Sequence, residues 1–155
     1  MTSIFFFHGL ESAPIGTKSI RLAESFDITS PDFQEMDIWE RLEKAERITR
    51  GLKDIVVVGS SFGGLLAALL YAQHPERFRG YVLMAPALHR DFADEIDKMP
   101  ERAVVIHGTH DDVVPIDEVR PFCAQHGVEF IEVDDGHRLH DSLAHMIEAV
   151  EKILE

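Results

Sequence analysis

Two adjacent serines, Ser60 and Ser61, stand where a β-branched run, Ile55 to Val58, gives way to an apolar helix pattern. The turn between them is Gly59-Ser60-Ser61-Phe62-Gly63. A serine on a sharp strand-to-helix turn exposes its hydroxyl for nucleophilic attack, and the residues two places away on either side crowd against it. Both must therefore lack side chains. Centred on Ser61, those positions are Gly59 and Gly63; centred on Ser60, they are Val58 and Phe62, which are too bulky. Ser61 is the candidate nucleophile. Glycine-rich turns of this kind also cradle anions at a helix N-terminus. However, a phosphate loop from Gly59 to Gly64 requires lysine where Leu65 stands, and a dinucleotide fingerprint requires glycine at Ser61.

A serine hydroxyl is a weak nucleophile until a base removes its proton and a third group orients that base. The turn motif therefore requires a carboxylate and then a histidine downstream, on loops at strand ends. The stretch VVIHGTHDDVVP supplies Asp111 or Asp112. Asp111 is preferred because it lies three residues past Gly108, at the turn, which leaves Asp112 to cap or hydrate the next segment. IEVDDGHRLH supplies His137, where Gly136 is expected to permit a tight approach and His140 to lie within the next helix. Acyl transfer also needs donors aimed at a developing oxyanion. The Phe62 N–H, at a helix start, is one candidate, and the Leu10 N–H, on the loop after the first strand, is the other. His107, His110 and Asp111 would suggest a metal if they were ligands, but no matching ligand run accompanies them and His107 belongs to a buried strand. No metal is expected.

Those loops must be held by a sheet. Near-continuous apolar segments (SIFFFHG, DIVVVGS, RGYVLMAP, RAVVIHG and VEFIEV) alternate with helix-like ones. A shorter strand in FDITSPDF stops at Pro31. Asp37 looks like an N-cap before Ile38, Leu42, Ala45 and Ile48 at helical spacing. Pro121 is expected to disturb a helix that Gly127 ends, and Leu139, Leu143, Ile147 and Val150 mark a final amphipathic helix. Strands buried on both faces and separated by helices predict a three-layer αβα sandwich with about six mostly parallel strands. Ligands in such sheets sit beyond the carboxyl ends of the strands. Here those ends are His8-Gly9, Gly59-Ser60-Ser61, Ala85-Pro86, His107-Gly108 and Asp134-Asp135.

The whole chain narrows the function classes. Its 155 residues suit one domain, and a 45% hydrophobic content with 28% charged residues is ordinary for a globular protein. A net charge of -13 argues against nucleic acid as a partner, because phosphate contact needs clustered lysine and arginine. One cysteine, Cys123, allows no intrachain disulfide. The N-terminal stretch has no basic region and only a four-residue apolar run, so no signal peptide is expected, and no segment suggests a membrane span. The expectation is a soluble, cytoplasmic, single domain.

Taken together, His8-Gly9-Leu10, Gly59-Ser60-Ser61-Phe62-Gly63, Gly108-Thr109-His110-Asp111 with Val114-Pro115, and Gly136-His137 resemble the oxyanion, nucleophile, acid and base motifs of the α/β-hydrolase superfamily. The resemblance spans essentially the whole chain. More narrowly, HGLESAPIGTK is similar to the start of small cap-less bacterial esterases of the YqiA type. It implies Ser61 as nucleophile, His137 as general base, Asp111 as orienting acid, Leu10 and Phe62 as oxyanion donors, and no cofactor. The family's usual first two antiparallel strands are not expected. The stretch from Pro86 to Pro100 leaves room for a short helix but no cap domain. A shallow, open pocket is therefore expected, with Glu11, Leu88, Val113 and Arg138 as candidate rim residues. The expected activity is that of a serine carboxylesterase or thioesterase on a small or exposed acyl ester. The same residues would serve an amide, a lactone or a carbon–carbon bond, and a binding protein with this shell and little turnover is the alternative.

Overall fold

The computed structural model describes residues 2–155. Six strands form one sheet in the order β2-β1-β3-β4-β5-β6. They are β1 (Ile4–Phe7), β2 (Ile28–Thr29), β3 (Ile55–Ser60), β4 (Phe78–Met84), β5 (Ala103–Gly108) and β6 (Glu129–Val133). All five pairings are parallel. Five helices cover the sheet: α1 (Thr17–Ala23), α2 (Ile38–Ile48), α3 (Phe62–Gln73), α4 (Ile116–His126) and α5 (Leu143–Leu154).

The two-residue period of the strands divides the core. Phe5, Phe7, Ile55, Val57, Leu83 and Val105 face one way and pack with residues of α2, α3 and α4. Ile4, Phe6, Val56, Val58, Val82 and Ile106 face the other way and pack with α1 and α5. Helices on both faces explain why the central strands carry almost no polar residues. In register, Phe7 pairs Gly59, Ser60 pairs Met84, Met84 pairs Ile106, and Gly108 pairs Val133. The loops after β1, β3, β4, β5 and β6 therefore emerge along one edge. The strand order reverses between β1 and β3, and the crevice at such a switch point is where ligands settle.

Local signals behave as their chemistry requires. The Asp37 carboxylate accepts from the Glu40 N–H while Glu40 reaches back to the Asp37 N–H, a reciprocal cap for α2. Gly127, at φ 65, ends α4, which runs through Pro121. Between Pro86 and Pro100 there is only a single 3-10 turn, Arg90–Phe92, and no cap domain. The last helix differs from the sequence expectation. It starts at Leu143; Leu139 lies in the preceding loop at φ 55, fully buried, and His140 is in an exposed turn. Leu139 continues the apolar spacing because it packs into the same core as α5, without being helical. Among the described residues no helix is long and apolar enough to cross a membrane.

Candidate active site

The turn after β3 places Ser61 at φ 54 and ψ -112, a backbone conformation that costs a non-glycine residue about 1–3 kcal/mol. Its surroundings hold it there. The Ser61 N–H donates to the Met84 carbonyl, and the Ser61 carbonyl accepts from the Gly64, Leu65 and Ala87 N–H groups. The flanking glycines are sterically required. A Cβ on Gly59 would lie 2.5 Å from the Gly63 carbonyl oxygen. One on Gly63 would lie 2.5 Å from the Phe7 carbonyl carbon and 2.8 Å from the His8 carbonyl oxygen. Gly64 also fits closely, since a Cβ there would come within 2.7 Å of Pro86 Cβ.

His137 stands between Ser61 and Asp111. Its Nε2 is 3.0 Å from Ser61 Oγ and its Nδ1 is 2.7 Å from Asp111 Oδ2. A carboxylate only accepts, so Nδ1 carries the hydrogen and the Nε2 lone pair faces the serine hydroxyl. The Asp111 side chain is fully buried. Its other oxygen, Oδ1, accepts from the Val113 and Val114 N–H groups at 2.9 and 2.7 Å, which fixes the carboxylate plane. Asp112 is exposed on the same turn, outside this chain of contacts.

His107, assigned to packing from the sequence, is completely buried and also polar in its role. Its Nε2–H donates to the Val114 carbonyl at 2.8 Å and lies 3.3 Å from Asp111 Oδ2. Burial holds its pKa below the ordinary histidine range, so the ring stays neutral. His110 turns outward to Asp134, and no cluster of three metal-ligating side chains occurs among the described residues.

The tight backbone approach behind His137 is at Gly108, not at Gly136. A Cβ on Gly108 would lie 2.7 Å from the Asp135 carbonyl carbon and 2.9 Å from the Gly136 oxygen, whereas one on Gly136 would meet nothing within 4 Å. The β5 end, packed against the β6 loop, is what brings Asp111 and His137 together. Asp135 secures that loop, accepting from the Gly136 and Asp141 N–H groups and the Ser142 hydroxyl. Lys18 of α1 adds a bond from its ammonium to the Arg138 carbonyl at 2.8 Å. Lys18 is a residue that the sequence motifs did not single out.

A cleft of about 830 Å³ opens over Ser61 and His137. Leu10, Phe62, Val113 and Val114 form apolar parts of its wall, while Glu11, Lys18 and Arg138 supply charge. Leu88 does not belong to the rim. It is 1% exposed and belongs to the hydrophobic core; the small Ala87 lines the cleft in its place. The strand-end position alone could not tell these neighbours apart, because the chain turns inward after Ala87.

The oxyanion candidates Leu10 and Phe62 both line the cleft, Leu10 on the loop after β1 and Phe62 as the first residue of α3. Gly9 lies against the serine, since a Cβ on Gly9 would sit 3.7 Å from Ser61 Cβ. The Gly9 carbonyl is engaged by the His8 ring at 2.8 Å and by Arg41 at 3.1 Å. Arg41 is a second residue that sequence reasoning missed. The available signal was a charge at position 41 on the same helical face as Ile38, Leu42 and Ala45, a face otherwise meant for the core.

Known proteins show the same arrangement of chain. The family model described as the alpha/beta hydrolase fold matches residues 6–140. An inferred hydrolase of the alpha/beta superfamily from Xanthomonas campestris pv. campestris superposes with a TM-score of 0.83 at 26% identity, covering 98% of this chain and 96% of that one. Mouse alpha/beta hydrolase domain-containing protein 10 gives 0.76 at 17% identity, covering 98% and 89%. A monoacylglycerol lipase from Paleococcus ferrophilus gives 0.75 at 14% identity, covering 97% and 93%. None of the curated proteins is significantly similar in sequence. The parallel sheet, the serine turn at its switch point and the family match agree: this chain belongs to the α/β-hydrolase fold family, and a hydrolase is what its fold and structural neighbours support.

Proposed function

We propose that the protein is a serine carboxylesterase or thioesterase that hydrolyses small or exposed acyl esters through an acyl-enzyme. The observation that carries this reading is the position of His137, 3.0 Å from Ser61 Oγ and 2.7 Å from the buried Asp111 carboxylate. As the Ser61 oxygen attacks the substrate carbonyl, His137 Nε2 takes its proton, and Asp111 stabilises the resulting imidazolium. The carbonyl oxygen, now anionic, is received by the Leu10 and Phe62 N–H groups, the latter at the positive end of α3. His137 returns its proton to the departing alcohol or thiol. Water, activated by the same ring, then releases the acid and frees Ser61.

The cleft supports a modest substrate. Its volume lies within the usual range for small-molecule sites, and with no cap domain above it nothing encloses a long chain. Hydrolysis of p-nitrophenyl esters from acetate upward tests the reading. Activity is expected to peak at short chains and to fall by about 10⁴-fold or more in Ser61→Ala and His137→Ala. Turnover that survives in Ser61→Ala would overturn it. Ester binding without turnover in the intact protein would favour a binding role instead.

A further inference from the structure

Arg41 is a fully buried cation with an unusual set of partners. Among the described residues no carboxylate lies within ion-pair distance of it. It spends its donors on three main-chain carbonyls instead: His8 at 2.8 Å, Gly9 at 3.1 Å and Met36 at 3.3 Å. Its guanidinium carbon also lies 4.9 Å from the centre of the Phe62 ring and 5.7 Å from that of Phe33. Burying an unpaired charge costs several kcal/mol, so this arrangement is maintained against a standing penalty. A core needing only volume at this position would be served by methionine or leucine.

On the cleft side Arg41 touches the Gly9 carbonyl, which shares its peptide plane with the Leu10 N–H, and the ring of Phe62, the residue of the second donor. In a trans peptide the carbonyl and the next N–H lie in one plane and point in opposite directions. Fixing the Gly9 oxygen therefore fixes the Leu10 N–H, aimed away from Arg41. The His8 ring supports the same carbonyl from its Nδ1–H, while its Nε2 accepts from the Phe33 N–H at 2.8 Å. On the other side, contact with the guanidinium restrains the Phe62 ring and so the residue that begins α3.

We propose that Arg41 is a positioning residue that sets both halves of the oxyanion hole, orienting the Gly9–Leu10 peptide by hydrogen bonds and Phe62 by ring contact. The proposal rests on the esterase reading. Loss of Arg41 then weakens transition-state stabilisation more than substrate binding. Its worth is bounded by that of one oxyanion donor, about 10²–10³ in kcat.

The test compares the intact protein with Arg41→Met, which fills the space without charge, and Arg41→Lys, which keeps a cation and one set of donors. For each, kcat and KM are measured on a p-nitrophenyl ester, inhibition by a trifluoromethyl ketone that forms a serine hemiketal, and Tm. In Arg41→Met, kcat is expected to fall about 30- to 300-fold with KM changed less than about threefold, and the ketone Ki to rise by a similar factor. Arg41→Lys is expected to recover part of kcat and of ketone affinity. If Arg41→Met does not fold, the Arg41→Lys comparison decides alone, because a folded Lys variant with unchanged ketone affinity overturns the proposal. So does an Arg41→Met protein whose kcat is unchanged, or whose loss lies wholly in KM. An intact protein with no turnover and no ketone inhibition would overturn the esterase reading as well, which separates the two failures.

Discussion

Gly63→Ala is expected to damage stability and activity together, and the size of both effects comes from the position of one atom. The added Cβ would lie 2.5 Å from the Phe7 carbonyl carbon, 2.8 Å from the His8 oxygen and nearer still to the Phe7 oxygen. All three obstacles are main chain at the end of β1, which cannot swing aside as a flexible side chain can. Opening these contacts to ordinary van der Waals separation requires α3 and the β1 end to part by roughly 1 Å. Overpacking of this kind costs typically 1–3 kcal/mol, and backbone obstacles belong at the upper end, so ~3 kcal/mol is expected. For a domain of this length that is a fall in Tm of roughly 6–12 °C. The displaced segment leads directly into Leu10, and a 1 Å misplacement near reacting groups can cost about 100-fold in rate. The assay is a thermal melt with kcat/KM on a short-chain ester, run beside Gly136→Ala. A Cβ on Gly136 meets nothing within 4 Å, so that variant should match the parent in Tm. A Gly63→Ala protein within about 2 °C and twofold of the parent would refute the steric reasoning.

Other consequences can be checked separately. Tyr81 Oη is buried without a hydrogen-bond partner, so Tyr81→Phe should leave stability unchanged or raise it by up to ~1–3 kcal/mol in urea unfolding. Burial pushes the Cys123 thiol up to about 12, so a maleimide at pH 8 should label it only after unfolding. Asp37→Ala removes one side of the reciprocal cap on α2 and should cost ~1 kcal/mol, a drop in Tm of roughly 2–4 °C. Burial lowers the folded-state pKa of His107 below 6.5. The unfolded chain then binds more protons beneath that pH, and the stability this ring contributes is lost as pH falls through about 6.5. His107→Gln should flatten the dependence of the urea midpoint between pH 7.5 and 5.5.

What the sequence disclosed was local in its physics. Four β-branched residues before a glycine turn, an acidic cap three residues ahead of Glu40, and two glycines flanking one serine each decide a conformation within a few residues. The parallel sheet was legible in apolar runs separated by helical ones, and the structure has that architecture. What escaped was decided by contacts far apart in the chain. Leu88 looked like a rim residue from its place after β4, yet the chain turns it into the core. Leu139 keeps the spacing of α5 without being helical, because burial alone was driving the pattern. The close approach expected at Gly136 occurs at Gly108, where β5 meets the β6 loop. Arg41 stands 32 residues from the carbonyl of Gly9 that it holds, and helical periodicity could mark it only as a charge on the wrong face.

The central claim is that Ser61, and not its neighbour Ser60, is the nucleophile. A fluorophosphonate probe reacts with a serine oxygen only where a base and an oxyanion site activate it. Intact-mass measurement after labelling is expected to show a single adduct, mapped by peptide sequencing to Ser61, absent from Ser61→Ala and retained in Ser60→Ala. An unlabelled protein, or equal labelling of Ser61→Ala, would contradict the claim directly.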